Sequence, residues 1–508
     1  MKKTMRIAPS RSSFPSSTAL LLAVAGVVAG CSFTPVYHRP VTPEPAAFKE
    51  LQGWAPAAPA DTLERGPWWT LFGDPLLNDL AGQVAVSNQN VAAAVAAYTQ
   101  ARSLVLEQRA ALFPTATLQL SGDRSGGGGG GNRTTTTSTG TIVNNNGGGS
   151  VSNNYRLQLG GSWEPDVWGR LRAAVNAARD NAEASGADLA AARLSAQGEL
   201  AADYLQLRSV DAQRALLGAT AEGYRRNLKI TQNRYDAGIA PHSDVYQAQT
   251  QLNNALSDDL ALVRQRAQLE HAIAVLVGRA PADFAIATVQ WAPTVPDVPV
   301  GVPSTLLQRR PDIAAAERRV AAANEQIGIA RSAYFPSVNL SAAYGTSGGS
   351  FGNLFNASTA AWSYGLSAAQ TIANFGGLRA AVESTRAAQE GAAARYRQTV
   401  LDAFADVEDQ LAATRVLVQQ QDLQREASEA ADKVEQQVLN RYKAGQVGYT
   451  EVVTAQATAL SARRALVQTQ ASRQATAVAL IQSLGGGWRV VPDSGSVDGA
   501  PSTRPTSP

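Results

Sequence analysis

Few residues in this chain have the types and spacing for chemistry, and those that do point away from catalysis. Gly345-Thr-Ser347-Gly-Gly349 and Gly348-Gly-Ser350-Phe-Gly352 both match the nucleophile-elbow spacing of serine hydrolases. That chemistry needs a strand-to-helix elbow and a histidine base. The two serines fall in a predicted loop between strands, and the imidazoles of His38, His242 and His271 lie far apart in sequence. The run Gly126 to Gly131 lacks the Lys and Ser or Thr of a phosphate loop and reads as a surface tract with little to bury. With a single cysteine, Cys31, and both methionines, Met1 and Met5, at the start of the chain, no soft-metal site is expected. No enzyme activity is expected either. Two acids remain: Asp244 follows Ser243, and Glu451 follows Thr450. Each hydroxyl could cap a helix, and each acid would sit in that helix's first turn, where the dipole favours it. On the residues alone, capping is a sufficient account of them.

The first thirty residues read as a secretory signal, residues 1–30. Lys2, Lys3, Arg6 and Arg11 form a basic head, and Ala19 to Val28 is an apolar stretch too short to span a bilayer comfortably. It ends Val28-Ala29-Gly30-Cys31, which resembles the bacterial lipobox. The expectation is cleavage before Cys31, with S-diacylglycerol on its sulfur and N-palmitoyl on its new amine. This covalent lipid is the only group of cofactor type expected. Ser32 after the cysteine implies delivery to the outer membrane by the sorting rule of such lipoproteins. The four basic residues leave with the signal, so the 44 Lys and Arg less those four stand against 41 Asp and Glu. A balanced chain gives no clustered basic face, and no nucleic-acid partner is expected.

The elements that must position these residues are written twice. Asn90-Val-Ala-Ala-Ala94 aligns with Asp312-Ile-Ala-Ala-Ala316, and Arg109-Ala-Ala-Leu-Phe-Pro114 with Arg331-Ser-Ala-Tyr-Phe-Pro336. Further on, Gly169-Arg-Leu-Arg-Ala-Ala-Val175 aligns with Gly376-Gly-Leu-Arg-Ala-Ala-Val382, and Asn233-Arg-Tyr-Asp-Ala-Gly238 with Asn440-Arg-Tyr-Lys-Ala-Gly445. Four matches in one order define an internal duplication. Each copy reads helix, strand, loop, strand, very long helix, tight turn, helix. The first copy covers 74–280, opening with a helix from about Asp74 to Leu112 that Pro114 stops. Its strand pair falls at about 115–162 and its tip at about 235–243. The second covers 304–487, with strands at about 336–370 and a tip at about 442–450. A lipid-anchored segment (31–73), a linker (281–303) and a disordered tail (488–508) complete the chain. The Ser125 to Asn154 tract lengthens the first copy and reads as an outer loop.

Period two marks the strands. Ala116, Leu118 and Leu120 alternate with polar residues, as do Tyr155, Leu157 and Leu159, then Val338, Leu340, Ala342 and Tyr344, then Trp362, Tyr364 and Leu366. A lipid-facing outside and a wet inside would produce this pattern, although a soluble hairpin would as well. If the strands span a membrane, four are too few to close, and open edges are not tolerated in lipid. Three chains sharing one barrel would give twelve strands and room for a lumen. Trp163, Trp168 and Trp362 near strand ends could form an interfacial belt or simply pack. The stretches Gly169 to Tyr235 and Gly376 to Tyr442 contain no proline, and each could form a helix roughly 100 Å long. Gly238 and Gly445 supply the positive φ that ends such a helix. Arg309 and Arg310 before Pro311 fit a helix start without a transport role.

Several further motifs resemble the outer membrane factor family, the TolC-type channels, and in particular the lipoprotein branch that serves resistance-nodulation-division efflux systems. They are Pro35-x-Tyr37-x-Arg39-Pro40, Trp68-Trp69-x-Leu-Phe-x-Asp74, Pro303-Ser-x-Leu-Leu-x-Arg-Arg-Pro-Asp-Ile313, and the Arg-Tyr-x-x-Gly reversals followed by Ser243-Asp244 and Thr450-Glu451. The resemblance implies an α+β membrane protein: a homotrimer with one twelve-stranded β-barrel in the outer membrane, four strands per chain, continued by a long periplasmic helical barrel. It implies a passive duct from a periplasmic adaptor and an inner-membrane pump to the exterior, with the hairpin tips at Gly238, Ser243, Gly445 and Thr450 meeting the adaptor. By position, Asp244 and Tyr442 match closing contacts of a periplasmic gate, and Glu451 matches an acidic ring at the constriction. Val447 stands where an arginine latch can occur and Thr454 where a second acidic ring can occur, so fewer polar links are expected here. A type I secretion duct and a structural coiled-coil lipoprotein are the alternatives; the duplicated strands weigh against the latter.

Overall fold

The computed structural model describes residues 33–42, 45, 47–51, 67–126, 134–137, 140–143, 151–296, 298, 309–355 and 360–486. The signal, Cys31, the end of the 281–303 linker, the start of the second copy and the 488–508 tail lie outside the described residues. In chain order the elements are α1 (Pro75–Ser87), α2 (Gln89–Ala110), β1 (Thr115–Gly126), β2 (Thr134–Thr137), β3 (Gly140–Val143), β4 (Val151–Trp163), α3 (Arg170–Asp236), α4 (His242–Leu276), α5 (Pro311–Ser332), β5 (Ser337–Gly348), β6 (Ala360–Ala369), α6 (Gly377–Lys443) and α7 (Tyr449–Ser483). The two copies match closely in helix length: α3 and α6 have 67 residues each, and α4 and α7 have 35 each. The chain divides into two compact units, Met1–His38 with Ala101–Asn181 and Val320–Gly391, and Arg39–Gln100 with Ala182–Arg319 and Ala392–Pro508.

The first unit holds one antiparallel sheet in the order β1-β4-β5-β6. Its register merges four separate alternations into one face. Leu118 pairs with Leu159, Leu159 with Tyr344, and Tyr344 with Trp362. Because paired residues share a face, the apolar sets of all four strands fall on one side, and Thr117, Gln119, Gln158, Asn339, Ser341 and Ser363 fall on the other. The apolar side stays uncovered within the chain: Leu118 is 73% exposed, Trp362 70% and Tyr364 80%. Strands of 10 to 13 residues are long enough to cross a bilayer when tilted. In the same unit the segment 33–38 is tied down. Asn324 donates to the Pro35 carbonyl at 2.8 Å and Arg331 to that of Phe33 at 3.3 Å. Phe33 stacks on Phe335 at 4.2 Å, and Phe335 on Trp168 at 4.9 Å.

Several expectations need correction. The helix expected from Asp74 to Leu112 is two helices, because Asn88 between them accepts from the backbone N–H groups of Asn90 and Val91 and so caps α2. Strands β1 and β4 run into the tract read as a loop, to Gly126 and from Val151, and β2 pairs with β3 inside it. Ser347 is not in a loop but in β5, opposite Arg156, which removes it from any elbow. For Trp168, where a belt and simple packing are both open, the ring packs on Phe335 and its indole N–H donates to the Pro336 carbonyl at 2.7 Å.

The second unit is helical. Its interior is made of small and medium side chains, such as Leu200, Leu207, Val210 and Leu217 along α3 and Val400, Val407 and Leu411 along α6, all buried. Their spacing of three, four and seven puts them on one stripe of each helix. Buried alanines, among them Ala248, Ala255 and Ala459, allow close neighbours.

Candidate gate at the hairpin tips

Both reversals in the helical unit are built the same way. At the end of α3, the Ile239 N–H donates to the Arg234 carbonyl and that of Gly238 to Tyr235, each at 2.8 Å, with Gly238 at φ +70. At the end of α6, the Gln446 N–H donates to Arg441 and that of Gly445 to Tyr442, each at 2.9 Å, with Gly445 at φ +75. This pair of bonds is the Schellman motif, which satisfies carbonyls a helix end would otherwise leave open. A left-handed residue is needed once per turn, and glycine supplies it.

The returning helices do not start on the expected caps. Pro241 and Gly448 hold the N-cap positions, and neither helix has a side-chain cap. Ser243 and Thr450 stand one residue inside their helices, and the Thr450 hydroxyl instead donates to Gln247 Oε1 at 3.5 Å. Proline cannot cap with a side chain, and its fixed φ leads the chain into α4. Asp244 and Glu451 sit in the first turns of α4 and α7. Asp244 is half-buried and Glu451 exposed. With the hydroxyls displaced from the cap, dipole stabilisation is what remains of the structural account of the acids.

Between the two tips lies a small core of Ala248, Tyr442, Tyr449 and Val452, flanked by Leu228, Val438, Leu439, Val447 and Val453. Val447, where a latch arginine can occur, is therefore part of the packing. Tyr442 meets Tyr449 edge-on at 5.2 Å. Arg234 lies 4.8 Å over the Tyr442 ring and donates from Nη1 to its carbonyl at 3.2 Å. The Tyr442 hydroxyl is buried with no hydrogen-bond partner among the described residues, Asp244 included. Burial, then the neighbouring Tyr442, Tyr224 and Asp244, pushes the Tyr449 phenol up, so it stays neutral at any physiological pH. Asp244 thus acts on Tyr449 electrostatically and makes no hydrogen bond to the Tyr442 hydroxyl. On the first tip, Tyr235 lies tilted against His242 at 4.5 Å, and His242 meets Tyr246 edge-on at 4.3 Å.

Higher in α3, the apolar periodicity conceals a polar network. Tyr204, fully buried, donates to Asp74 Oδ2 at 2.6 Å and accepts from Arg208 at 2.9 and 3.0 Å. Arg208 also donates to the Ala287 carbonyl, while Arg266 spans Asp211, Glu270 and the Ile286 carbonyl. Together they pin the segment after α4 to the helices. Arg310 ties the start of α5 to Asp312, Asp406 and the Ser483 carbonyl. No group of His, Cys, Asp or Glu among the described residues could hold a metal ion, and no described helix is long and apolar enough to cross a membrane. The latter has no bearing on the strands.

A duplicated chain with an uncovered apolar sheet face and two very long helical hairpins has the architecture of an outer-membrane channel of the α+β class. The chain belongs to the outer membrane efflux protein family, whose model matches residues 80–279 and 302–486. It is 30% identical over 472 residues to the toluene efflux pump outer membrane protein TtgC of Pseudomonas putida, covering 92% of this chain and 95% of that protein. Among solved structures it is similar to the outer-membrane channel OprN, with TM-score 0.78 and 29% identity over 90% of this chain and 100% of that one. It is similar also to the open state of the MtrE outer membrane channel of Neisseria gonorrhoeae, with TM-score 0.77 and 27% identity over 90% of this chain and 98% of that one.

Proposed function

We propose that three copies of the chain form an outer-membrane channel, the outermost duct of a tripartite efflux system, which passively conducts substrates from a periplasmic adaptor and inner-membrane pump to the exterior. The observation that carries this is the sheet. Its outer strands β1 and β6 each have one edge with no strand partner among the described residues, and its apolar face is uncovered. An open edge in hydrocarbon leaves backbone groups unsatisfied at several kcal/mol each. Side-by-side joining of copies removes every edge, and twelve strands leave a wet lumen lined by the Thr, Gln, Asn and Ser face.

In this reading Asp244, Tyr442 and Glu451 work at the periplasmic gate. Three Glu451 carboxylates around one axis repel one another and draw cations. Gly238, Ser243, Gly445 and Thr450 form the surface that meets the adaptor. Acylated Cys31 anchors the chain to outer-membrane lipid; support comes from Phe33, two residues on, which packs on Phe335 just before β5. Mass measurement in mild detergent tests the assembly. Three chains are expected, and a stable monomer with full strand content would overturn the reading.

A further inference from the structure

The tip carries one link twice in sequence but once in the chain. Arg234 of the first copy grips Tyr442 of the second through its ring and its carbonyl. The duplication aligns Arg441 with Arg234 and Tyr235 with Tyr442, so the second copy carries the same donor and the first the same acceptor. Within one chain that pair is unused. Arg441 is exposed, and its side chain has no ion pair, hydrogen bond or ring contact among the described residues. Tyr235 is 40% exposed. Its ring is nonetheless held in place: His242 backs it at 4.5 Å, just as the equivalent Tyr449 backs Tyr442 at 5.2 Å. Its carbonyl accepts from Gly238 as that of Tyr442 accepts from Gly445, which leaves a lone pair for a guanidinium in both cases.

We propose that Arg441 of one chain seats over the Tyr235 ring of a second copy and donates to the Tyr235 carbonyl, forming a subunit-to-subunit latch at the closed tip. In a closed ring built of alternating first and second copies, each repeat grips the next. The contact from first copy to second lies inside a chain, and the contact from second to first must cross between chains. The surface thus has one occupant, the second repeat of a neighbouring chain, and the latch supplies a polar link where Val447 supplies none. The inference rests on the channel reading, since it needs copies of the chain closed into a ring.

Cysteines at Arg441 and Tyr235, joined by a short bis-maleimide in the full-length protein in membranes, should give covalent dimers and trimers on denaturing electrophoresis. Cysteines at Arg234 and Tyr442 should cross-link without any increase in mass. A trimer by mass in mild detergent that yields no covalent multimers from the Arg441 and Tyr235 pair would overturn the latch and leave the channel standing; a monomer by mass would overturn both. In planar bilayers, Arg441→Ala should raise resting conductance by about tenfold, the scale of one desolvated cation–π contact. Tyr235→Phe should behave as the parent and Tyr235→Leu as Arg441→Ala, with no further rise in the double variant. Parent-like resting conductance in Arg441→Ala would refute the proposal.

Discussion

Asp203 is the titrating residue in the helical unit whose behaviour can be worked out from its surroundings. Burial first, and the negative Glu199 one turn away second, push its carboxyl up to about 6. The folded chain therefore holds this proton more tightly than the unfolded chain, so the stability it contributes is full below about pH 4 and is lost as pH rises through about 6. Solvent screens part of this half-buried carboxyl and reduces the effect, so Asp203→Asn is expected to stabilise the fold by on the order of 2 kcal/mol at about pH 7.5, seen as a higher thermal midpoint, and to leave the midpoint unchanged near pH 4. Helical circular dichroism at the two pH values reads the difference. Glu451 belongs to the same scale, and its proposed role is toward ions. Glu451→Ala should reduce cation preference and weaken block by trivalent ions in planar bilayers, whereas Asp244→Ala with Tyr442→Phe should raise resting conductance without changing selectivity. If Glu451→Ala leaves selectivity and ion block as in the parent, the acid serves only the helix dipole.

At the scale of elements, the hairpins turn on two glycines in the left-handed region. Gly445→Ala places a Cβ where the backbone disfavours it, at a cost of about 1–2 kcal/mol. The Schellman bonds should loosen, which amide hydrogen exchange at residues 442–449 would register as faster opening, with Gly445→Asn milder. Much of the element level was legible beforehand. Proline-free stretches and the aligned Asn-Arg-Tyr motifs located α3, α6 and both tips, because helix stops and left-handed turns are local chemistry. The errors were also local contests. Asn88 reads as an ordinary helix surface residue until its amide is seen capping α2 while donating to the Leu276 carbonyl, a partner 188 positions away. Ser243 and Thr450 are of a type that favours capping, but Pro241 and Gly448 hold the N-cap positions and begin the helices two residues earlier than such caps allow.

For the whole molecule, the sharpest test of membrane attachment is Cys31→Ser. It should abolish incorporation of labelled palmitate while trimers persist, because the sheet supplies its own burial in lipid; continued labelling would exclude the anchor. The sequence by itself determined the duplication, the count of long strands per copy, the alternating faces and the long hairpins, since each follows from periodicity and punctuation along the chain. Tertiary structure alone decided which strands are neighbours and in what register, and hence that four separate alternations make one continuous apolar face. It alone decided that Tyr204, apolar by spacing, anchors a buried charged network, and that Tyr442 is gripped by Arg234 from the other copy while Tyr235 is left open. These are pairings between residues far apart in the chain, and a sequence specifies the type of each partner but not which of its chemically equal candidates lies within reach.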